Sequence, residues 1–207
     1  MTTQTTSPAE GQGQVISPDF SDDGRRQRSE RSRKAIADAL IRLVREGETM
    51  PSAERVSAEA NVGLRTVFRH FDDMDSLYRA VSEQIEAEIG PIVNQPFCSE
   101  HWRGRLSEMI ERRAQVFEWV MPFKEQVDAR LLQSECLREA HRCKVQIEAE
   151  KLRAILPADV ACGEIWHALF AALSIDMWRR LRKDQHLTVD EAKAIMERMA
   201  SGILAAT

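Results

Sequence analysis

The sequence predicts an all-α fold: an N-terminal three-helix helix-turn-helix domain followed by a helical bundle, about nine helices in all. Three observations carry this expectation. Tyr occurs once and β-branched residues are sparse, whereas Ala, Leu, Glu and Arg, which lose little on entering a helix, are abundant. The apolar residues, 43% of a 207-residue chain, recur at helical rather than alternating spacing, and are numerous enough for a substantial core. Gly, Pro, Asn and Ser punctuate these runs where helices should start or stop.

Residues 1–24 are rich in Thr, Gln, Ser, Gly and Pro, show no apolar periodicity, and read as a disordered acidic tail. Arg25 to Lys34 (RRQRSERSRK) holds six basic residues and one acid. Two readings of this arm stand side by side: a solubilising leader, or an element that touches phosphates or enters a minor groove. A helix is expected from about Ser29 to Glu46, with Ile36, Ala39, Leu40, Leu43 and Val44 as its stripe and Gly47 as its stop.

The stretch Ser52 to Phe71 reads as two short helices with a tight joint. Ser52 suits an N-cap, and Ala53, Val56 and Ala60 form an apolar face. Asn61 tolerates the left-handed conformation a helix stop needs. Gly63 opens the second helix, whose apolar stripe is Leu64, Val67 and Phe71, leaving Arg65, Thr66, Arg69 and His70 elsewhere. An arginine-bearing helix of two turns packed on another short helix suits the major groove of DNA.

Beyond Asp72, Asp73 and Asp75 a helix carries Leu77, Val81, Ile85 and Ile89 and ends near Gly90-Pro91. A helix from about Ser99 to Val120 follows. Pro122 is expected to break or kink it, with Phe123, Val127, Leu131 and Leu132 on a separate helix. Another runs from about Ser134 to Leu156. Val160 to Arg182 is apolar on more than one face and reads as one helix in a core or at a subunit interface. The last helix opens with the capping box Thr188-x-x-Glu191.

The net charge of −4 is unevenly spread. Residues 25–72 carry eleven basic and seven acidic side chains, whereas both flanking segments are net acidic. Positive charge therefore concentrates on the segment with the helix-turn-helix, which favours a polyanion there. No apolar run reaches the roughly 18 residues of a membrane span and nothing resembles a signal peptide, so the expected location is cytoplasmic, with no membrane partner. Cys98, Cys136, Cys143 and Cys162 show no metal-ligand spacing and are expected to be buried free thiols.

Arg33 to about Val81 resembles the DNA-binding domain of the TetR family of one-component regulators. The residues that carry the resemblance are Gly47, Ser52, Ala60-Asn61-Val62-Gly63, Thr66-Val67-Phe68-Arg69-His70-Phe71 and Met74-Asp75-Ser76-Leu77. Asn61, Gly63, Phe68 and Met74 depart from the family's usual Gly, Ser, Tyr and Lys. The last three remove polar groups that ordinarily meet the DNA or protein backbone. The resemblance implies a helix-turn-helix DNA-binding domain at 25–75 and an effector-binding and dimerisation helical domain at 76–207. It implies a homodimer on a palindromic double-stranded operator, acting as a repressor that a small-molecule effector releases.

The residues expected on DNA are Arg33, Lys34, Ser52, Gly63, Leu64, Arg65, Thr66, Phe68, Arg69 and His70. Arg65 is the first choice for reading a base, because bidentate Arg–guanine pairing is the commonest specific contact. Leu64 is either a base-facing or a core residue, and His70 either a phosphate partner or a structural cap. A small, mostly hydrophobic effector would be lined by Met109, Phe117, Trp119, Phe123, Trp166, Phe170, Met177 and Trp178, with Arg113, Asp128, Arg130 and His167 as orienting polar groups. Each of these has core or surface charge as its plain alternative. The dimer interface would use Ile165, Leu169, Leu173, Ala192, Ile195, Met199 and Ile203, although a large monomer core would use the same pattern.

No HExxH, nucleophile elbow or phosphate-cradling glycine loop occurs, so neither an enzyme nor a cofactor is expected. Two alternatives stay open. A helical-bundle enzyme has Glu164 and His167 as its nearest approach to a metal pair. A thiol-based redox sensor would use Cys136 and Cys143, which lie about 10 Å apart along a helix, too far for an intrachain bridge.

Overall fold

A computed structural model describes residues 20–131 and 134–205, with side chains from Gly24 onward. Most of the expected acidic tail, residues 1–19, lies outside the described residues, as does Leu132. Nine α-helices form, with no strand among the described residues, as the sequence predicts.

Helix α1 spans Phe20–Arg45 and starts about nine residues before the expected Ser29, so the basic arm is helical. It ends in a pair of backbone bonds, Glu48 N–H to Leu43 O and Gly47 N–H to Val44 O, closed by Gly47 at φ 91°. Helix α2 (Ala53–Glu59) begins at Ser52, whose hydroxyl accepts the Arg55 N–H. Asn61 takes φ 53° and the same bond pattern ends α2, which explains why Asn substitutes for Gly here. Helix α3 (Leu64–His70) starts at Gly63 without a side-chain cap.

Helix α4 (Met74–Val93) opens with a reciprocal cap between Asp73 and Ser76 and runs three residues past Gly90, holding Pro91 in its last turn. Its buried Leu77, Tyr78, Val81 and Ile85 join Ile36, Leu40, Leu43, Val56, Val67 and Phe71 in one core. Packing therefore places α4 with the first three helices.

Helix α5 is continuous over Trp102–Leu131, and Pro122 does not end it. Losing one backbone donor is tolerable because both halves are anchored. Phe117 and Met121 are buried in the C-terminal core, whereas Phe123 is buried in the N-terminal one. Helix α6 (Glu135–Arg153), capped by Ser134, packs on α5 and buries Leu137 and Leu152.

The expected single helix at 160–182 is divided. Helix α7 (Gly163–Ala172) stops at Leu173, and α8 (Ile175–Arg179) restarts with the Ser174 hydroxyl accepting the Met177 N–H. A π-helical turn at Arg180–Asp184 continues it. The break is stabilised from outside: buried Arg113 of α5 donates Nη1–H to the Leu173 carbonyl at 2.5 Å. Helix α9 (Val189–Ala205) carries the expected box, with Glu191 N–H donating to Thr188 Oγ1 and Thr188 N–H to Glu191 Oε2.

All four cysteines are exposed, contrary to the expectation of buried thiols. Cys98 sits in a loop, Cys136 and Cys143 lie on the outward side of α6, and Cys162 precedes α7. No helix among the described residues is long and apolar enough to cross a membrane.

Candidate nucleic-acid interface

The joint between α2 and α3 decides which side chains α3 presents. Val67 and Phe71 are buried at 1% and 2% exposure and fix α3 on the α1–α4 core. Leu64, Arg65, Phe68 and Arg69 lie at i, i+1, i+4 and i+5, and all four are exposed. Leu64 thus does not share the apolar stripe with Val67 and Phe71, because the first turn of α3 extends past the core. An exposed Leu and an exposed Phe, at 36% and 47%, interleave with two arginines on a single helix face. That mixture suits a groove, where guanidinium groups meet guanine edges and apolar groups meet thymine methyls.

The other expected DNA residues surround this face in different states. Ser52 is exposed and its Oγ holds the α2 cap at 3.2 Å. Gly63 is exposed at the start of α3 and Thr66 is half-buried. Arg33 donates Nη1–H to the His70 carbonyl at 2.7 Å and lies over the Phe71 ring at 4.4 Å, so it also fastens α1 to the end of α3. Lys34 pairs with Asp38 at 2.9 Å on an exposed surface. The side chain of His70 is not a cap: its Nε2 is buried without a hydrogen-bond partner. Burial first, then the charges of Arg69 and Arg33, hold this imidazole below its ordinary pKa. A cavity of about 270 Å³ lies beside it, lined by Arg33, His70, Phe71, Ser76 and Arg79 among others.

The effector candidates do not converge on one pocket. Met109, Phe117, Trp166 and Trp178 are buried in the C-terminal core, with Phe117 and Trp178 ring centroids 6.2 Å apart. Phe170 stacks on Trp166 at 5.3 Å and Met177 packs at the edge of that core. Trp119 and Phe123 belong instead to the N-terminal core, where Arg45 of α1 lies 4.2 Å over the Trp119 ring. Asp128 pairs with Lys124 at 2.8 Å, and His167 is exposed. Arg113 is buried and donates to the Leu173 and Glu148 backbone carbonyls. A shallow, open hollow lies along α1 at Gln27, Glu30, Arg31 and Lys34, likewise away from these residues.

The dimer candidates also divide. Leu169, Leu173 and Ala192 are at 0% exposure within the single chain, so they belong to its own core. Ile195 is 37% exposed, and Ile165, Met199 and Ile203 are partly buried on α7 and α9. These four remain at the surface of the packed α7–α9 pair.

Two polar arrangements escaped the sequence reading. Glu118 accepts the Trp178 indole N–H at 2.8 Å and both Arg182 donors at 2.8 and 2.9 Å, clamping α5 to α8 and the π turn. The Arg182 hydrogen bond, ahead of the Trp178 one, holds the Glu118 carboxyl below its usual range. At the other end of α5, Gln126 Oε1 accepts the Met50 N–H at 2.6 Å, and Arg130 pairs with Asp75 at 3.0 Å over the Tyr78 ring. Met50 takes φ 51°, a conformation uncommon for a residue with a side chain, and nothing local in the sequence announces it.

The fold and site define an all-helical protein whose helix-turn-helix unit presents an arginine-bearing face, ahead of a bundle joined to it by one long helix. No family model matches the chain, and no curated protein does. Among solved structures, the fold is similar to that of the multidrug binding protein EbrR complexed with imidazole. That match has a TM-score of 0.56 and 21% identity, covering 81% of this chain and 93% of that one.

Proposed function

We propose that this chain is a DNA-binding transcriptional regulator of the TetR type, which binds a palindromic operator as a homodimer. The observation that carries the reading is the α3 face: Leu64, Arg65, Phe68 and Arg69 are exposed together while Val67 and Phe71 anchor the helix. No packing need of the chain explains that face, and a major groove does. The surface of α7 and α9, with Ile165, Ile195, Met199 and Ile203, is the dimer contact, forming a four-helix bundle with its counterpart.

The regulator is released from DNA by a small, mostly hydrophobic effector that enters the aromatic C-terminal core. Similarity to a protein that binds drugs supports this choice. Helix α5 carries the signal, since Arg113 and Glu118 hold α7 and α8 while Gln126 and Arg130 hold the N-terminal domain. An effector that favours one position of α5 shifts the spacing of the two α3 helices and weakens DNA binding. Selection of bound duplexes from a random pool tests the reading. Enrichment of an inverted repeat supports it, and a pool that stays random after repeated rounds refutes it.

A further inference from the structure

The N-terminal part of α1 has no structural reason to be ordered as part of the domain. From Gly24 onward the first buried residue of α1 is Ile36, and residues 25–31 are all exposed. Between Gly24 and Lys34 there is no apolar side chain. Residues 24–31, about 10 Å at the helical rise, therefore project beyond the core. Its internal support is weak. The Arg26–Glu30 pair, at 3.3 Å, has side chains 80% and 65% exposed, and Arg28 reaches back to the Gly24 carbonyl. Arginines near a helix N-terminus also oppose its macrodipole. Arg25 and Arg31 pair with no carboxylate among the described residues.

Direction identifies the partner. Arg25, Arg26, Ser29 and Arg33 fall at i, i+1, i+4 and i+8, on one side of α1. Arg33 is bonded to the carbonyl of His70, where α3 ends. This basic side thus leads away from the edge of the DNA-reading helix. From Arg26 to Arg33 the helix rises about 10 Å, a length over which a duplex carries roughly six phosphate charges.

We infer that residues 24–34 form a rigid helical clasp for the DNA phosphate backbone flanking each half-site. This rests on the DNA-binding reading above and adds a footprint that α3 does not supply. Because the segment is helical, it lies along the backbone and does not thread a minor groove as an extended arm. The phosphates offset the mutual repulsion of the arginines and hold the helix in place.

The test uses the full chain and a duplex recovered from random-pool selection, extended by ten base pairs on each side. Two variants are compared with the parent. One carries Arg25→Gln and Arg26→Gln, and the other Ser29→Pro, which keeps every charge but breaks the helix. The salt dependence of affinity should fall by about 0.9 per lost phosphate contact, up to ~1.8 per protomer in the double variant. Hydroxyl-radical protection of the flanks should disappear, with thermal unfolding of the domain unchanged. Ser29→Pro should lose most of the same slope and flank protection. Equal slopes for parent and double variant overturn the clasp while leaving the DNA reading intact. A full slope in Ser29→Pro overturns its helical form. Phosphatidylglycerol vesicles bound through these arginines, with the DNA slope unchanged, would assign the segment to a membrane surface and overturn the clasp as well. A parent that binds no duplex overturns the regulator reading itself.

Discussion

Arg65→Ala separates reading from folding cleanly, because Arg65 is exposed and makes no hydrogen bond or ion pair with the described residues. Its removal leaves no cavity and no unpaired group, so unfolding midpoints should move by no more than ~0.5 kcal/mol equivalent. All the loss should appear on DNA. A bidentate Arg–guanine contact is worth about 1–3 kcal/mol of discrimination, roughly 5- to 150-fold at each half-site, and a palindrome doubles the free energy. Fluorescence anisotropy on the selected duplex, and on duplexes with each base pair replaced in turn, measures this. The parent should be sensitive to one guanine-containing pair per half-site, and Arg65→Ala should be indifferent there. A uniform loss across all duplexes, with the salt slope reduced by about 1, would make Arg65 a phosphate ligand. No loss at all would mean that the exposed α3 face does not meet DNA.

Glu118→Ala should destabilise the chain by about 2–3 kcal/mol in urea titration, because the Trp178 indole N–H loses its acceptor inside the core. Since the Glu118 carboxyl titrates below its unfolded value, its contribution is present above about pH 4.3 and fades as pH falls through the folded value. Parent and Glu118→Gln should therefore converge in acid. Ile195→Lys should leave a folded monomer in sedimentation, with weakened operator binding, since Ile195 is exposed on α9. Gln126→Ala should cost about 1 kcal/mol in stability and blunt effector-driven release in a mobility assay, by freeing the Met50 loop from α5. Alkylation of the four exposed thiols should leave DNA binding unchanged, and a loss would favour a thiol sensor.

What the sequence showed and what it hid divide by range. Ser52, Asn61 and the Thr188–Glu191 box act on their own backbone neighbours, so residue type and spacing were enough to place them. The division of residues 160–182 into α7 and α8 depends on Arg113, sixty residues away, reaching the Leu173 carbonyl, and no local pattern announces that. Pro122 misled for the same reason, because the two cores that anchor α5 on either side are tertiary. Apolar periodicity could not tell Leu169, Leu173 and Ala192, buried within the chain, from Ile195, left at the surface. It also left Leu64 open between core and groove, and its exposure in the first turn of α3 puts it at the surface. Gly63, Phe68 and Met74 still set this helix-turn-helix apart. Under the proposed DNA reading, the arginines on α3 and ahead of it carry more of the binding.

In the proposed complex two chains sit on one inverted repeat through their α3 helices, so its mass is the decisive readout. Sedimentation or mass photometry on the selected duplex should give two 23.6 kDa chains per duplex, falling to one complex-competent site when a half-site is scrambled. A stoichiometry of one chain on the intact repeat, or a mass indifferent to scrambling, would contradict the account.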